Sequence, residues 1–215
     1  MSTPTLERPS AERAGAAYGE LDLFRVFAFC FSHPTRECFA WLSGNDSRAL
    51  WKHLKRRFRI GAKLTTADRF TDFSAYEATY IALFEVGVPG PPVPLLESAH
   101  SNRSVPQEIV LDCVNFYDVL GLRPSGSVFP TDHLVTQLEF LAAVGYLREG
   151  ESDPEKAESL RRLELDFFER HLLNWLPVVQ EKIDKLGPPL FPTLIRLLTA
   201  YLKEESRTLA QGDPR

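Results

Sequence analysis

Residues 132–147 constrain the fold more than any other part of the chain. Leu134, Val135, Leu138, Phe140, Leu141, Val144, Tyr146 and Leu147 lie at helical spacing and leave little polar face. The centre of a helix that is apolar nearly all round should lie in the interior, because one packed neighbour covers only a stripe of it. The remainder of the chain must therefore supply a shell around this segment.

That shell is readable as further helices. Over residues 11–31, Leu21, Leu23, Phe24, Val26, Phe27, Ala28, Phe29, Cys30 and Phe31 surround the helix axis until Pro34 stops the run. Short helices are expected at 36–42 and 48–58, separated by Ser43, Gly44, Asn45 and Asp46. A longer one is expected from about Thr66, with Phe70, Phe73, Tyr76, Tyr80, Leu83 and Phe84 spaced by threes and fours. Residues 103–120 form another, ended by Gly121, and a second loop follows at 123–130. Ser152, Asp153, Pro154 and Glu155 make a helix start with a cap, a proline and an acid in the first turn. From there the apolar spacing runs to Gly187, with Pro177 expected to kink or split the element. A last amphipathic helix is expected at 190–204. No segment shows sustained alternation of apolar and polar residues, so the reading is all-α: a single-domain bundle of roughly eight to ten helices. The domain is placed at 18–204, after an N-terminal arm at 1–17 and before a polar, frayed tail at 205–215.

The helical text breaks at residues 87–97, Gly-Val-Pro-Gly-Pro-Pro-Val-Pro-Leu-Leu-Glu. Four prolines and two glycines in this space exclude a helix and a central strand, leaving a stiff irregular loop. Loops of this kind run over the surface and gather function, so this is the first place to look for a binding role.

Charge narrows the partners. The chain carries 25 Lys and Arg against 29 Asp and Glu, a net −4 that opposes nucleic acid and anionic lipid. The one basic cluster, Lys52, Lys55, Arg56, Arg57 and Arg59, lacks an aromatic stacking platform and reads as a solvated helix face. Cys30, Cys38 and Cys113 are widely spaced in apolar text and read as buried thiols of a reducing compartment. The first twenty residues lack the apolar run of a signal or membrane helix, so the expectation is a cytoplasmic protein without stable membrane insertion.

Catalytic patterns are missing. There is no glycine-rich loop ending in Lys-Ser/Thr, and Gly87–Pro92 lacks the lysine and the following helix. Zinc spacing is not met by Cys30, His33 and Cys38, and His33 reads as a helix-end residue near the last carbonyls. Ser125-Gly126-Ser127 has no strand-to-helix turn to sharpen a nucleophile. No enzyme, metal or cofactor is expected. Two acid–imidazole features remain: Thr131-Asp132-His133 at the start of the buried helix, where Thr131 or Asp132 can cap it, and His171 one turn before Trp175. His171 by itself reads as a packing residue.

These residues carry a resemblance. Tyr80-x-x-Leu83-Phe84 followed by the proline loop to Glu97-Ser98, then Asp132-His133-Leu134 with Leu138-Glu139-Phe140-Leu141, then Phe168-x-x-His171-Leu172-x-x-Trp175-Leu176-Pro177, resemble the TorD/DmsD/NarJ family of molybdoenzyme chaperones in order and spacing. The resemblance spans residues 18–200. It implies an all-helical protein that binds the apo catalytic subunit of a complex iron–sulfur molybdoenzyme, in many members through a twin-arginine leader, and holds back export until the cofactor is inserted. It assigns Asp132 and His133 to the leader-binding pair, and Pro91, Pro92, Pro94 and Glu97 to a proline loop beside the groove. Gln137 stands where many relatives have an acid, and Leu141 where methionine is common.

A leader with two guanidinium groups and a short apolar stretch wants carboxylates at the mouth of an apolar cleft. Asp132, Glu97 and Glu139 are the candidate carboxylates, with Leu134, Leu138, Leu95, Leu96 and Trp175 as candidate lining. Glu139 as a buried hydrogen-bonding residue and the aliphatics as plain core remain open. Two other readings stand beside this one: a helical protein binding a nucleotide or the molybdenum cofactor, and an oligomeric scaffold. The oligomeric state is left at monomer or homodimer, and the sequence does not select the client.

Overall fold

The computed structural model describes residues 22–101, 105–122 and 129–212. The expected arm at 1–17, the first half of the opening helix, and Ser125, Gly126 and Ser127 lie outside them. Among the described residues the secondary structure is helical, with nine α-helices and a lone antiparallel bridge between Leu96 and His133. This is the all-α bundle that the periodicity predicts.

The enclosed segment becomes α6, Leu134–Gly150. It packs most extensively on α1, Leu23–Phe31, and next on α7, Pro154–Phe167. The α1 helix is held at its start by Asp22, whose carboxylate accepts the Arg25 N–H, and it buries Leu23, Phe24, Val26, Phe27, Ala28, Cys30 and Phe31. Enclosure of α6 stops at Val144. The centre of the helix is interior, as expected, while in the final turn Tyr146 is 72% and Leu147 44% exposed. Arg148, paired with Glu164 of α7 at 2.9 Å, ties that turn down by charge instead of by burial.

Helices α2, Arg36–Ser43, and α3, Asn45–Arg57, meet at Gly44, and Trp41 and Trp51 pack edge to face across the corner. The expected helix from Thr66 starts later. Residues 67–69 make only a 3-10 turn, and α4, Phe73–Tyr80, begins where Asp72 accepts the Ala75 N–H at 2.9 Å. A π-helical turn, Ile81–Glu85, extends α4 into the proline loop. His33 does not cap its own helix as expected. Its Nδ1 lies 2.8 Å from Glu85 Oε1, and its ring meets Tyr80 edge-on, so it joins the end of α1 to the turn before the loop.

After α5, Pro106–Val119, and α6, the long element at the C-terminal side is articulated where the sequence did not place the break. A π-helical turn, Phe168–Leu172, joins α7 to α8, Leu173–Leu186, and α8 passes through Pro177 unbroken. The Asn174 side-chain amide donates to the carbonyls of Glu169 and Arg170 within this turn. Gly187, at φ 63°, closes α8 in the left-handed conformation that a Cβ would strain.

Helix α9 runs Phe191–Gln211, beyond the frayed tail expected from 205. Glu205 and Leu209 are buried, so tertiary packing carries the helix past the point where its polar text suggested an end. Thr65 fixes its start: its N–H donates to Thr193 Oγ1, and its Oγ1 accepts the Leu190 N–H. Trp51, Trp175, Tyr76, Tyr80, Phe27, Phe31, Phe167, Phe168 and Phe191 fill the interior. Cys30, Cys38 and Cys113 are free and buried, as read from the sequence. No helix among the described residues is long and apolar enough to cross a membrane.

Candidate functional site

The proline loop leaves the bundle at Val86 and returns at Val93. Gly87 is required there, since a Cβ would land on the Gly90 carbonyl. At the tip Val88 is completely exposed and Val86 is 63% exposed, while Pro92 is exposed and Pro91 half-buried. The return half is anchored. Val93 donates its N–H to Leu83 O at 3.0 Å, and Val93 and Leu95 are buried. Leu95 O then accepts the Leu134 N–H at 2.9 Å and Asp132 O accepts the Glu97 N–H at 3.0 Å, stitching the loop to the corner before α6.

Asp132 and His133 form that corner, with both side chains turned to local work. Asp132 is 2% exposed, and its Oδ2 accepts the Ser98 N–H at 3.1 Å. The α6 cap is not Thr131 or Asp132. His133 occupies the position, with Nδ1 accepting the Val135 N–H at 3.2 Å. This bond needs an unprotonated Nδ1, and burial pushes the His133 pKa down to about 4 against the opposing pull of Asp132. The ring stacks on Phe129 with centroids 4.3 Å apart.

Glu97, on a 3-10 turn from Glu97 to Ala99, points inward and is 1% exposed. Its Oε2 accepts from Gln137 Nε2 at 2.6 Å and lies 2.8 Å from His171 Nδ1. Gln137 Oε1 accepts from Trp175 Nε1 at 3.2 Å, and Trp175 stacks on His100. His100 Nε2 donates to Pro94 O at 2.6 Å, while its Nδ1 accepts from Lys182 Nζ at 3.0 Å. Burial first, and Lys182 second, hold the His100 pKa below the usual imidazole range. The network therefore crosses the loop, α6, the 168–172 turn and α8, with hydrogen-bond distances of 2.6–3.2 Å.

Of the residues singled out by sequence, Asp132, His133, Glu97, Pro94 and Trp175 are brought together. Pro91 and Pro92 sit on the outer half of the loop, and Glu139 is exposed on α6. The expectation that Asp132 and Glu97 rim an open cleft, with Trp175 lining it, is corrected: all three are buried. A carboxylate removed from water must be hydrogen-bonded, and closing the loop against the bundle gives Asp132 Oδ2 and Glu97 Oε2 their donors. Gln137, His100 and Lys182 were missed as members. Gln137 was visible only as a departure from the acid in relatives, and no spacing flagged the other two.

A family model described as nitrate reductase delta subunit matches residues 45–181. The perchlorate reductase assembly chaperone protein of Dechloromonas aromatica is 30% identical over 154 residues, 68% of this chain and 67% of that protein. The dimethyl sulfide dehydrogenase assembly chaperone protein of Rhodovulum sulfidophilum is 32% identical over 201 residues, 86% of this chain and 77% of its own. A solved structure from Archaeoglobus fulgidus, named as a redox enzyme maturation protein, shares the fold with a TM-score of 0.51 at 21% identity, covering 85% of this chain and 93% of that one.

Proposed function

The chain belongs to the TorD/DmsD/NarJ family of molybdoenzyme assembly chaperones, and we propose that it holds the apo catalytic subunit of a DMSO-reductase-type molybdoenzyme in the cytoplasm until the molybdenum cofactor is inserted. The client's twin-arginine leader engages the proline loop and the Asp132–His133 corner. The observation that carries this reading is the loop itself: a tip that presents Val86 and Val88 to solvent, and a return half stitched directly to Asp132 and Leu134, on either side of His133.

The two ends of such a leader match the two ends of the loop. Its apolar stretch can cover the exposed valines. Its guanidinium groups need carboxylates, and Asp132 becomes available when the turn from Glu97 to Ala99 lifts and the Ser98 N–H is exchanged for an arginine. Binding thus replaces a hydrogen bond from a neutral donor with an ion-paired one from a guanidinium, at the cost of opening the turn.

Calorimetry with a synthetic peptide of two adjacent arginines followed by a short apolar stretch tests the reading. Saturable binding is expected, weakened about tenfold or more when both arginines are alanine. Asp132→Asn keeps an oxygen for the Ser98 N–H but removes the charge, and is expected to weaken binding similarly; His133→Ala should do so as well. Unchanged affinity in Asp132→Asn and His133→Ala would reject this site, and no binding of the peptide would reject leader recognition itself.

A further inference from the structure

Three side chains with metal-ligand chemistry meet inside the molecule, from elements far apart in sequence. Glu97 comes from the return half of the loop, Cys113 from α5 and His171 from the turn between α7 and α8. One ligand atom from each lies within 4.8 Å of the other two, and all three residues are buried. We propose that Glu97, Cys113 and His171 form a binding site for a single divalent metal ion of the zinc type.

The donor set is one carboxylate oxygen, one sulfur and one imidazole nitrogen, all ordinary zinc ligands. His171 Nδ1 is 3.7 Å from Cys113 Sγ and 2.8 Å from Glu97 Oε2. Ligand atoms around a tetrahedral zinc stand roughly 3.3–3.6 Å apart, so loading requires only small side-chain shifts. Glu97 Oε1 is buried and meets no hydrogen-bond donor among the described residues, which leaves a second carboxylate oxygen to complete the coordination.

Charge points the same way. A carboxylate and a thiolate together neutralise a divalent cation, so the loaded pocket closes at zero net charge in a place where unpaired charge is costly. A metal ion favours the thiolate directly.

The surroundings have the form of an outer shell. His171 Nε2, on the far side of the ring from the cluster, faces Asp112 Oδ2 at 3.5 Å. Asp112 is gripped in turn by Arg170 at 2.6 and 2.8 Å, giving the carboxylate–histidine order that orients metal-bound imidazoles. Gln137 Nε2 donates to Glu97 and lies 3.7 Å from Cys113 Sγ. Because Trp175 holds the Gln137 oxygen, that amide presents its N–H₂ side to the ligands and orients them without joining the set.

The test uses the full chain produced in medium supplemented with zinc or with cobalt, so that the ion is present as the loop closes. After dialysis, elemental analysis is expected to find about one ion per chain, and the cobalt form is expected to show a thiolate-to-metal charge-transfer band. Cys113→Ser should lose the band, while Cys30→Ser and Cys38→Ser keep it; the intact chain and these two variants give the answer even if Cys113→Ser does not fold. Glu97→Gln should retain less metal. Metal content at buffer level, no thiolate band, or a band that survives Cys113→Ser would overturn the proposal.

Discussion

Between Val86 and Pro92 the loop stands away from the bundle, with Val88 completely exposed, whereas from Val93 to His100 it turns inward and buries Val93, Leu95, Glu97 and His100. The two halves have similar loop-like text and opposite fates. The outer half is shaped by local covalent limits: proline rings fix φ, and Gly87 allows a close approach to Gly90. The inner half is placed by distant partners, with Glu97 bound to Gln137 across 40 residues and to His171 across 74. Stiffness is thus a local property of this loop and position a long-range one. The outer half is free to meet another protein while the inner half helps hold the bundle together.

The sharpest way to break the comparison is Glu97→Ala. It strands Gln137 Nε2 and His171 Nδ1 inside the protein, and a loss of about 3 kcal/mol in urea unfolding is expected. A loss below about 1 kcal/mol would mean that the inner half is not an anchor.

A smaller effect comes through pH. His133 has a reference pKa of 6.5 and is depressed to about 4 in the folded chain, so between those values the unfolded chain binds more protons. The contribution is complete above pH 6.5 and is lost as pH falls toward 4, at most on the order of 3 kcal/mol in all. His133→Asn retains a good helix cap without a titrating ring, and should flatten this part of the stability profile measured by circular dichroism in urea. An unchanged profile would place the titration elsewhere.

Trp175→Phe keeps the aromatic bulk but removes the indole N–H that holds Gln137, and is expected to cost about 1 kcal/mol by thermal unfolding. The smallest change is expected at the tip. Val88→Ser should alter stability by no more than about 0.5 kcal/mol while lowering affinity for the arginine-and-apolar peptide. If it destabilised the fold as Glu97→Ala does, the distinction between the halves would fail.

Much of the architecture was legible because helical packing repeats locally. The apolar spacing of residues 134–144 identified a buried helix, Pro34 and Gly187 marked real ends, and the prolines between 87 and 97 excluded regular structure. Errors arose where a distant group overruled local text. Asp72 delayed α4, burial of Leu209 prolonged α9, and the π-helical turn before Pro177 took up the articulation assigned to that proline. At the site, the family resemblance named Asp132, His133 and Glu97 together, but the carboxylates expected at a cleft mouth are buried.

By itself the sequence determined the helices, the stiffness of the loop and the family to which the chain belongs, because each is written in residue types at short or fixed separations. Only the tertiary structure decided that Glu97 points inward, that His133 caps α6, and that Cys113 meets His171 across 58 residues. Contacts of that kind depend on how whole helices are packed, and a side chain's hydrogen-bonding capacity does not specify which distant partner will satisfy it.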